Sequence, residues 1–318
     1  MQRRIQIKMA ITAAQVKELR EMSGAGMMDC KKALVATDGD MDKAMDYLRE
    51  NGMAKAAKKA GRVAAEGLCE GIVSEDGKTA AVVEVNSETD FVAQNEKFKA
   101  YVDEVAQQAL ASSAKDLDAF MAEPWKFDAS KTVEEALVAE IAVISENLKI
   151  RRFAKVEEPN GFVQSYTHAG GKIVVLVDVE TDVNNDAIRE MAKNVAMQAA
   201  AMRPKYNTRA EVDQEYLAKE KEVLLAAAKN EKPNANEKIL NGMVMGRINK
   251  ELAEICLMDQ VYVKAEDGKQ SVSKYIAQVA KENNARVTVK GFVRYETGEG
   301  IEKKQENFAE EVAAQRKA

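Results

Sequence analysis

Histidine is almost missing from this 318-residue chain: His168 is the only one. A single imidazole excludes any metal centre built on several histidines and any zinc finger of the mixed Cys/His kind. It leaves at most one Ser/His/Asp or Cys/His arrangement, which would have to be assembled around His168. Cysteine is scarce too. Cys30, Cys69 and Cys256 are far apart and odd in number, which fits reduced cytosolic thiols rather than a disulfide framework. Long apolar runs are lacking: stretches such as residues 173–177 fall far below the ~20 residues of a membrane span. Aromatics amount to 5%, and with 15 Met and abundant Ala the composition predicts a largely helical protein. A net charge of −5 disfavours sequence-independent nucleic-acid binding, which draws on basic surfaces. Hydrophobic residues at 46% and charged residues at 31% describe a folded chain. Its length suits ~2 domains. So few nucleophile–base options lean away from an enzyme.

The first eight residues, Met1-Gln-Arg-Arg-Ile-Gln-Ile-Lys8, precede a second methionine, Met9, and are too short and polar for a secretory signal. They read either as a basic arm for something acidic or as a start-site artefact. Codons AGG-AGA for Arg3-Arg4 would resemble a bacterial ribosome-binding sequence, so translation is expected to begin at Met9. Thr12-Ala-Ala-Gln15 is a capping box, and Ile11 with Val16 a hydrophobic staple, so a helix opens here and buries Val16 and Leu19. Ser23-Gly-Ala-Gly26 ends it. Met27, Cys30 and Leu34 set a second helix, broken at Gly39. Asp40 caps a third along Met41, Ala44, Met45 and Leu48, with Asn51-Gly52 as the stop. The expected product is a small three-helix module whose methionine-rich faces are core rather than a binding groove. Lys55, Lys58, Lys59 and Arg62 follow at helical spacing. A solvated face of a connecting helix is favoured over a handle for an acidic partner.

The most informative pattern is a repeat. Gly77-Lys78 opens a strand-like run through Val82, Val83 and Val85 to Thr89-Asp90, then a helix ending in Val105-Ala-Gln-Gln-Ala-Leu-Ala111. Gly171-Lys172 opens a second run over 173–179 to Thr181-Asp182, then a helix ending in Val195-Ala-Met-Gln-Ala-Ala-Ala201. Two copies of one strand-to-helix unit predict a core of two related α+β subdomains. Further strands are expected at 67–73, 150–157, 161–168 and 286–295. The copies differ just after Thr-Asp, with Phe91-Val92 in the first and Val183-Asn184 in the second. Such a difference marks a place where the first copy does something the scaffold does not require. Spacing alone gives somewhat more weight to Phe91 packing inside its own subdomain.

Gly77-Lys78-Thr79 looks like the end of a phosphate-binding P-loop, but Gly71 stands one residue too far away, and Asp76-Gly77 is a hairpin turn between strands. A P-loop must lead into a helix, so no nucleotide site is expected there. His168 ends a strand before a glycine turn, and without a G-x-S-x-G motif a structural or contact role outranks catalysis. Trp125 is expected to anchor its loop, 122–127, on the core. Residues 210–255 read as two charged helices meeting at 230–236. Their apolar stripes are Val212, Tyr216, Leu217, Val223 and Leu224, then Leu240, Val244, Ile248, Leu252 and Ile255. That pattern suits a projecting antiparallel hairpin, either a partner-touching arm or a surface ornament. After Gly298-Glu-Gly300, a final amphipathic helix is expected near Phe308, Val312 and Ala313.

Several stretches occur here in a distinctive order: Val16-Lys-Glu-Leu-Arg20, Ser23-Gly-Ala-Gly-Met-Met-Asp-Cys-Lys-Lys-Ala-Leu34, Ala54-Lys-Ala-Ala-Lys-Lys-Ala60, Glu84-Val-Asn86 leading to Thr89-Asp-Phe-Val-Ala93, Gly291-Phe-Val-Arg-Tyr295 and Gly298-Glu-Gly-Ile-Glu302. From about Met9 to the terminus, this combination resembles the elongation factor Ts family, the bacterial and organellar nucleotide-exchange factors for elongation factor Tu. The resemblance implies a helix-rich α+β fold with an N-terminal three-helix ubiquitin-associated-like module, a core of two similar α+β subdomains, an inserted antiparallel coiled-coil hairpin and a C-terminal helical module. Mapped onto the chain, these are an extension at 1–8, the N-terminal module and basic linker at 9–62, core subdomain N at 63–158, core subdomain C at 159–300 with the arm at about 208–256, and the C-terminal module at 301–318.

The implied function is guanine-nucleotide exchange in translation elongation. The factor would bind elongation factor Tu with GDP, displace its magnesium ion and promote GDP release so that GTP rebinds. Thr89, Asp90, Phe91 and Val92 occupy the places of the family's Thr-Asp-Phe-Val motif, which reaches in beside the nucleotide and displaces the magnesium. That raises the functional reading of Phe91 above the packing one. The N-terminal module is implied to contact the same nucleotide-binding domain, and the second subdomain another domain of the partner. His168 stands where the family's contact histidine stands. The resemblance implies no covalent chemistry, no catalytic residue, no cofactor or metal ligand, no membrane or direct nucleic-acid partner, and a bacterial cytoplasmic setting; oligomeric state stays open. Departures are the extension before Met9 and a longer stretch at 115–131, whose local fold is left open. A non-catalytic scaffold or RNA-associated helical adaptor, using the small bundle and the basic 55–62 face, is the competing class, and an enzyme ranks third.

Overall fold

The computed structural model describes residues 11–302. The extension at 1–8, the start at Met9 and the helix expected near Phe308 lie outside the described residues. Within them the chain forms eleven α-helices and eight strands, a mixed α/β architecture. It divides into two compact units: residues 11–69, 83–153 and 297–302, and residues Glu70–Val82 with Ala154–Glu296. The elements run α1 (Ala13–Ser23), α2 (Met27–Ala36), α3 (Met41–Lys59), β1 (Glu66–Val73), β2 (Thr79–Ser87), α4 (Asp90–Ala93), α5 (Glu96–Ala111), α6 (Leu117–Ala122), β3 (Pro124–Trp125), β4 (Asp128–Thr132), α7 (Val133–Ile144) and β5 (Lys149–Glu157). Then come β6 (Gly161–His168), β7 (Ile173–Thr181), α8 (Asp186–Met202), α9 (Gln214–Glu231), α10 (Glu237–Ile255), α11 (Val272–Glu282) and β8 (Val287–Glu296). No helix among the described residues is long and apolar enough to cross a membrane.

The first unit opens as its caps dictate. The Gln15 amide N–H donates to Thr12 Oγ1 at 3.2 Å, and the Thr12 N–H donates back to Gln15 Oε1 at 3.0 Å. Val16, Leu19, Cys30, Ala33, Leu34 and Ala44 form the module's core, with Ile11 packed against it. Two expectations fail here. Asn51-Gly52 does not stop α3, which runs on to Lys59. The helix packs on α7, and a Cβ at Gly52 would lie 3.5 Å from the Ala142 Cβ, so tertiary burial outweighs the ~1 kcal/mol that glycine costs a helix. The methionine-rich faces are not all core either. Met41 and Met45 side onto it, whereas Met22, Met27, Met28 and Met53 are exposed, because the leucine, alanine and cysteine side chains already fill so small an interior.

The 115–131 stretch forms α6 and the β3–β4 pair. Phe120 stacks on Phe153 with ring centroids 4.6 Å apart, and buried Trp125 lies 6.1 Å from Tyr101, so Trp125 does anchor its loop. Thr132 and Glu135 then make a second capping box at the start of α7, a helix absent from the sequence-based expectations.

Strands β1, β2 and β5 form one three-stranded sheet, in that order, and β6, β7 and β8 another. The second is antiparallel, with Phe162 opposite Val179 and Val177 opposite Phe292. Strand β7 is buried on both faces. Val175, Val177 and Val179 belong to a core with Ile188, Met191, Ala192, Val195, Ala196 and Ala199 of α8. Val174 and Leu176 meet Gly71, where a Cβ would come 2.6 Å from Val174 Cγ1, so only glycine fits that crossing. Helices α9 and α10 pack together across a short connection through Ala228, Leu240, Val244, Ile248 and Leu252, with Leu217 and Leu224 alongside. Tyr216 and Val223, expected in the apolar stripe, are instead exposed; the Tyr216 hydroxyl bonds the Glu251 carboxylate on the pair's surface.

Candidate partner-binding site

Strand β2 delivers the chain to Thr89-Asp90-Phe91-Val92. Thr89 is the N-cap of α4, a single helical turn: its Oγ1 accepts the Val92 N–H at 3.4 Å. The turn closes as the Gln94 N–H reaches Asp90 O and Phe91 O at 3.2 Å, and Asn95 then caps α5. Ala93 is buried and Val92 half-buried, while Asp90 and Phe91 face outward. Phe91 is 82% exposed, the reverse of the packing role that spacing alone favoured. A phenyl ring in water forgoes roughly 1.5–3 kcal/mol of burial, so its display is costly unless another molecule covers it.

The second copy behaves differently. Thr181 Oγ1 accepts the Val183 N–H at 3.2 Å, no helical turn forms before α8, and Val183 packs against the β7–α8 core. Asp182 is tied to Arg286, whose amide and guanidinium hold its carboxyl below the usual carboxylate range. Both stretches thus run from a strand into a helix, and only the first displays an outward phenyl.

The support beneath the turn was not legible from motifs. Glu146 Oε2 accepts the N–H groups of Glu88 and Thr89, both at 3.0 Å, and its Oε1 accepts the Thr89 hydroxyl at 2.6 Å. Asn147 donates its N–H to Glu88 Oε1 at 2.6 Å and its side-chain amide to Arg62 O at 2.8 Å. Earlier along β2, the quoted Glu84-Val-Asn86 stretch is structural. Buried Glu84 accepts from Arg152 Nε at 2.6 Å, Gly298 N–H at 2.8 Å, Arg151 Nη1 at 3.0 Å and Asn86 Nδ2 at 3.0 Å. Burial would raise its pKa; the Gly298 amide, Asn86 and the two arginines instead hold it below the usual carboxylate range. Gly298 has φ 73°, and a Cβ there would meet Ala65 O at 2.2 Å, so only glycine can bring that amide in.

His168 lies in the other unit, at the exposed end of β6 opposite Ile173, with Nδ1 3.1 Å from the Tyr166 hydroxyl. In the basic stretch, Lys55 pairs with Asp29 at 2.8 Å and Arg62 with Glu88 at 3.4 Å, so two of its four basic side chains face a carboxylate of the same protein. The cysteines are buried, and burial pushes the Cys69 thiol up to about 12, which leaves it protonated and unreactive. Among the described residues, no group of three or more His, Cys, Asp or Glu could hold a metal ion.

The comparisons agree with this anatomy. The family model described as "Elongation factor TS" matches residues 88–299, beginning at the Glu88–Thr89 turn, and that described as "UBA/TS-N domain" matches residues 11–48, the three-helix module. Elongation factor Ts of Clostridium botulinum (strain Eklund 17B / Type B) is 53% identical over 306 residues, covering 96% of this chain and 99% of its own length. Elongation factor Ts of Clostridioides difficile (strain 630) is 53% identical over 307 residues, at 96% and 99% coverage. Its counterpart in Clostridium perfringens (strain SM101 / Type A) is 52% identical over 304, at 95% and 98%. With half of its residues shared along nearly its whole length, the chain belongs to the elongation factor Ts family of translation elongation factors.

Proposed function

We propose that the protein is the guanine-nucleotide exchange factor for elongation factor Tu, and that it acts by binding alone, without covalent chemistry. The observation that carries the reading is Phe91: in a chain of this family, a large apolar ring stands 82% exposed on a one-turn helix whose start is tied down on two sides. Magnesium bridges nucleotide phosphates to a GTPase, so moving the elements that support it weakens GDP binding. Phe91, flanked by Thr89, Asp90 and Val92, inserts as an apolar wedge, and its burial offsets the cost of pushing those elements apart by roughly 1.5–3 kcal/mol. By linkage, the ratio by which the factor weakens GDP is the ratio by which GDP weakens the factor. GDP leaves, a nucleotide-free complex forms, and incoming GTP dissociates it.

His168 and the second unit supply a separate hold on the partner, and the three-helix module touches the domain that carries the nucleotide. The α9–α10 pair is read as the family's coiled-coil arm. The adaptor reading is the less favoured one, because two of the four basic side chains it draws on, Lys55 and Arg62, already pair with Asp29 and Glu88. The test is release of a fluorescent GDP analogue from cognate elongation factor Tu under excess unlabelled nucleotide. Substoichiometric protein should accelerate release strongly, and Phe91→Ala should slow the stimulated rate by roughly tenfold or more with an unchanged melting temperature. No acceleration by folded protein with an active GTPase would overturn the reading.

A further inference from the structure

The exchange turn leans on a residue that none of the quoted motifs includes. Ser145, at φ 68°, caps α7 in the left-handed conformation and turns the chain, and Glu146 follows it. Although 57 residues from Thr89 in sequence, Glu146 gathers three donors from the turn: the N–H groups of Glu88 and Thr89 at 3.0 Å and the Thr89 hydroxyl at 2.6 Å. One carboxylate therefore fixes the backbone entering α4 and the rotamer of its cap, and that cap in turn accepts the Val92 N–H at 3.4 Å. Bonds to an ionised acceptor are shorter and about twice as strong as neutral ones. Phe91, at 82% exposure, has almost no packing of its own to fix its direction, so the ring's direction is inherited from the turn. A ring held in one place loses less freedom on docking than one that wanders.

Resting on the exchange reading above, we propose that Glu146 is the positioning residue of the exchange turn. It holds Thr89, Asp90, Phe91 and Val92 in one geometry before the partner arrives, and acts on exchange only through Phe91. A double-mutant cycle on GDP-analogue release tests this, with the full chain as wild type, Glu146→Ala, Phe91→Ala and the double variant. Glu146→Ala should slow stimulated release by roughly tenfold. In the Phe91→Ala background it should slow it by less than about twofold, because nothing is left to position. Amide exchange at Glu88 and Thr89 should quicken in Glu146→Ala. Glu146→Gln should fall between, since its amide oxygen can take the two N–H donors while its NH2 faces the Thr89 oxygen.

An equal loss in both backgrounds would mean that Glu146 acts elsewhere, and overturns the proposal. So does a full rate in folded Glu146→Ala. If the alanine variant does not fold, the glutamine variant runs the same cycle, and additivity there overturns the proposal equally. Wild-type protein that fails to accelerate release shows itself in the first control; that is a failure of the exchange reading, and it removes this inference with it.

Discussion

At the scale of single residues, the second sheet contains a carboxyl pair that should make stability respond to pH. Glu158 is buried, Asp178 is half-buried beside it on β7, and Lys290 Nζ lies 3.5 Å from Glu158 Oε2. Apart from the Lys290 ion pair, Glu158 Oε2 and Asp178 Oδ1 are buried with no donor supplied by the rest of the protein, and one proton shared between the two carboxyls makes the hydrogen bond that links them. Burial first, then the hydrogen bond and charge of Glu158, push Asp178 up to about 6; burial works to raise Glu158 as well, but the Asn160 amide, Asp178 and Lys290 together hold it below the usual carboxylate range. A folded-state pKa above the unfolded one contributes stability that is present below the unfolded value and lost as pH rises through the folded one. Asp178 therefore favours folding near pH 4 and stops doing so above about 6. Asp178→Asn keeps a donor for Glu158 without the charge. It should raise stability at pH 7.5 by about 1 kcal/mol, a figure discounted because solvent reaches half of the group, and the gain should vanish toward pH 4. Urea unfolding at both pH values checks it; an asparagine variant weaker at pH 7.5 would mean that the aspartate is ionised and held by Lys290. None of this pairing could be read from sequence, because it depends on which strands become neighbours.

At the scale of elements, α3 shows what local signals leave out. The Thr12 capping box and the Asp40 cap fall where the sequence places them, and the strand-to-helix repeat yields β2 with α5 and β7 with α8. Capping and alternation are properties of neighbouring residues, so they are legible. Continuation of α3 through Asn51-Gly52 is decided by α7, which packs on it from elsewhere in the chain. Gly52→Ala should stabilise the protein by about 0.5–1 kcal/mol, since a methyl group at 3.5 Å from the Ala142 Cβ is ordinary contact and glycine's backbone entropy is removed. Gly52→Leu should lower the melting temperature by forcing α3 off α7. Thermal unfolding of the pair decides it: two destabilised variants would mean that the contact is tighter than the distance says. The α7 helix itself carried a readable signal, Thr132-x-x-Glu135 ahead of Val133, Ala136, Leu137 and Ile141. The side on which Met27 and Met28 fall could not be read, because helical spacing defines a stripe without saying which stripe faces in.

At the scale of the whole molecule, the proposed exchange function separates holding the partner from changing it. A contact made equally with the GDP-bound and nucleotide-free partner adds affinity to both and shifts nothing between them. Only a contact stronger in the nucleotide-free state lowers GDP affinity. In the function proposed above, His168, exposed at the end of β6, would belong to the first class, and Phe91 to the second. His168→Ala should weaken binding to both partner states by roughly fivefold, about 1 kcal/mol, and leave their ratio unchanged. Phe91→Ala should lower that ratio by roughly tenfold or more, and lower the nucleotide-free affinity by nearly the whole of that factor. Titration of each variant against GDP-loaded and nucleotide-free elongation factor Tu measures both quantities. A His168 variant that changes the ratio as much as Phe91→Ala would show that coupling is spread over the interface, and that the outward phenyl is one contact among several rather than the wedge.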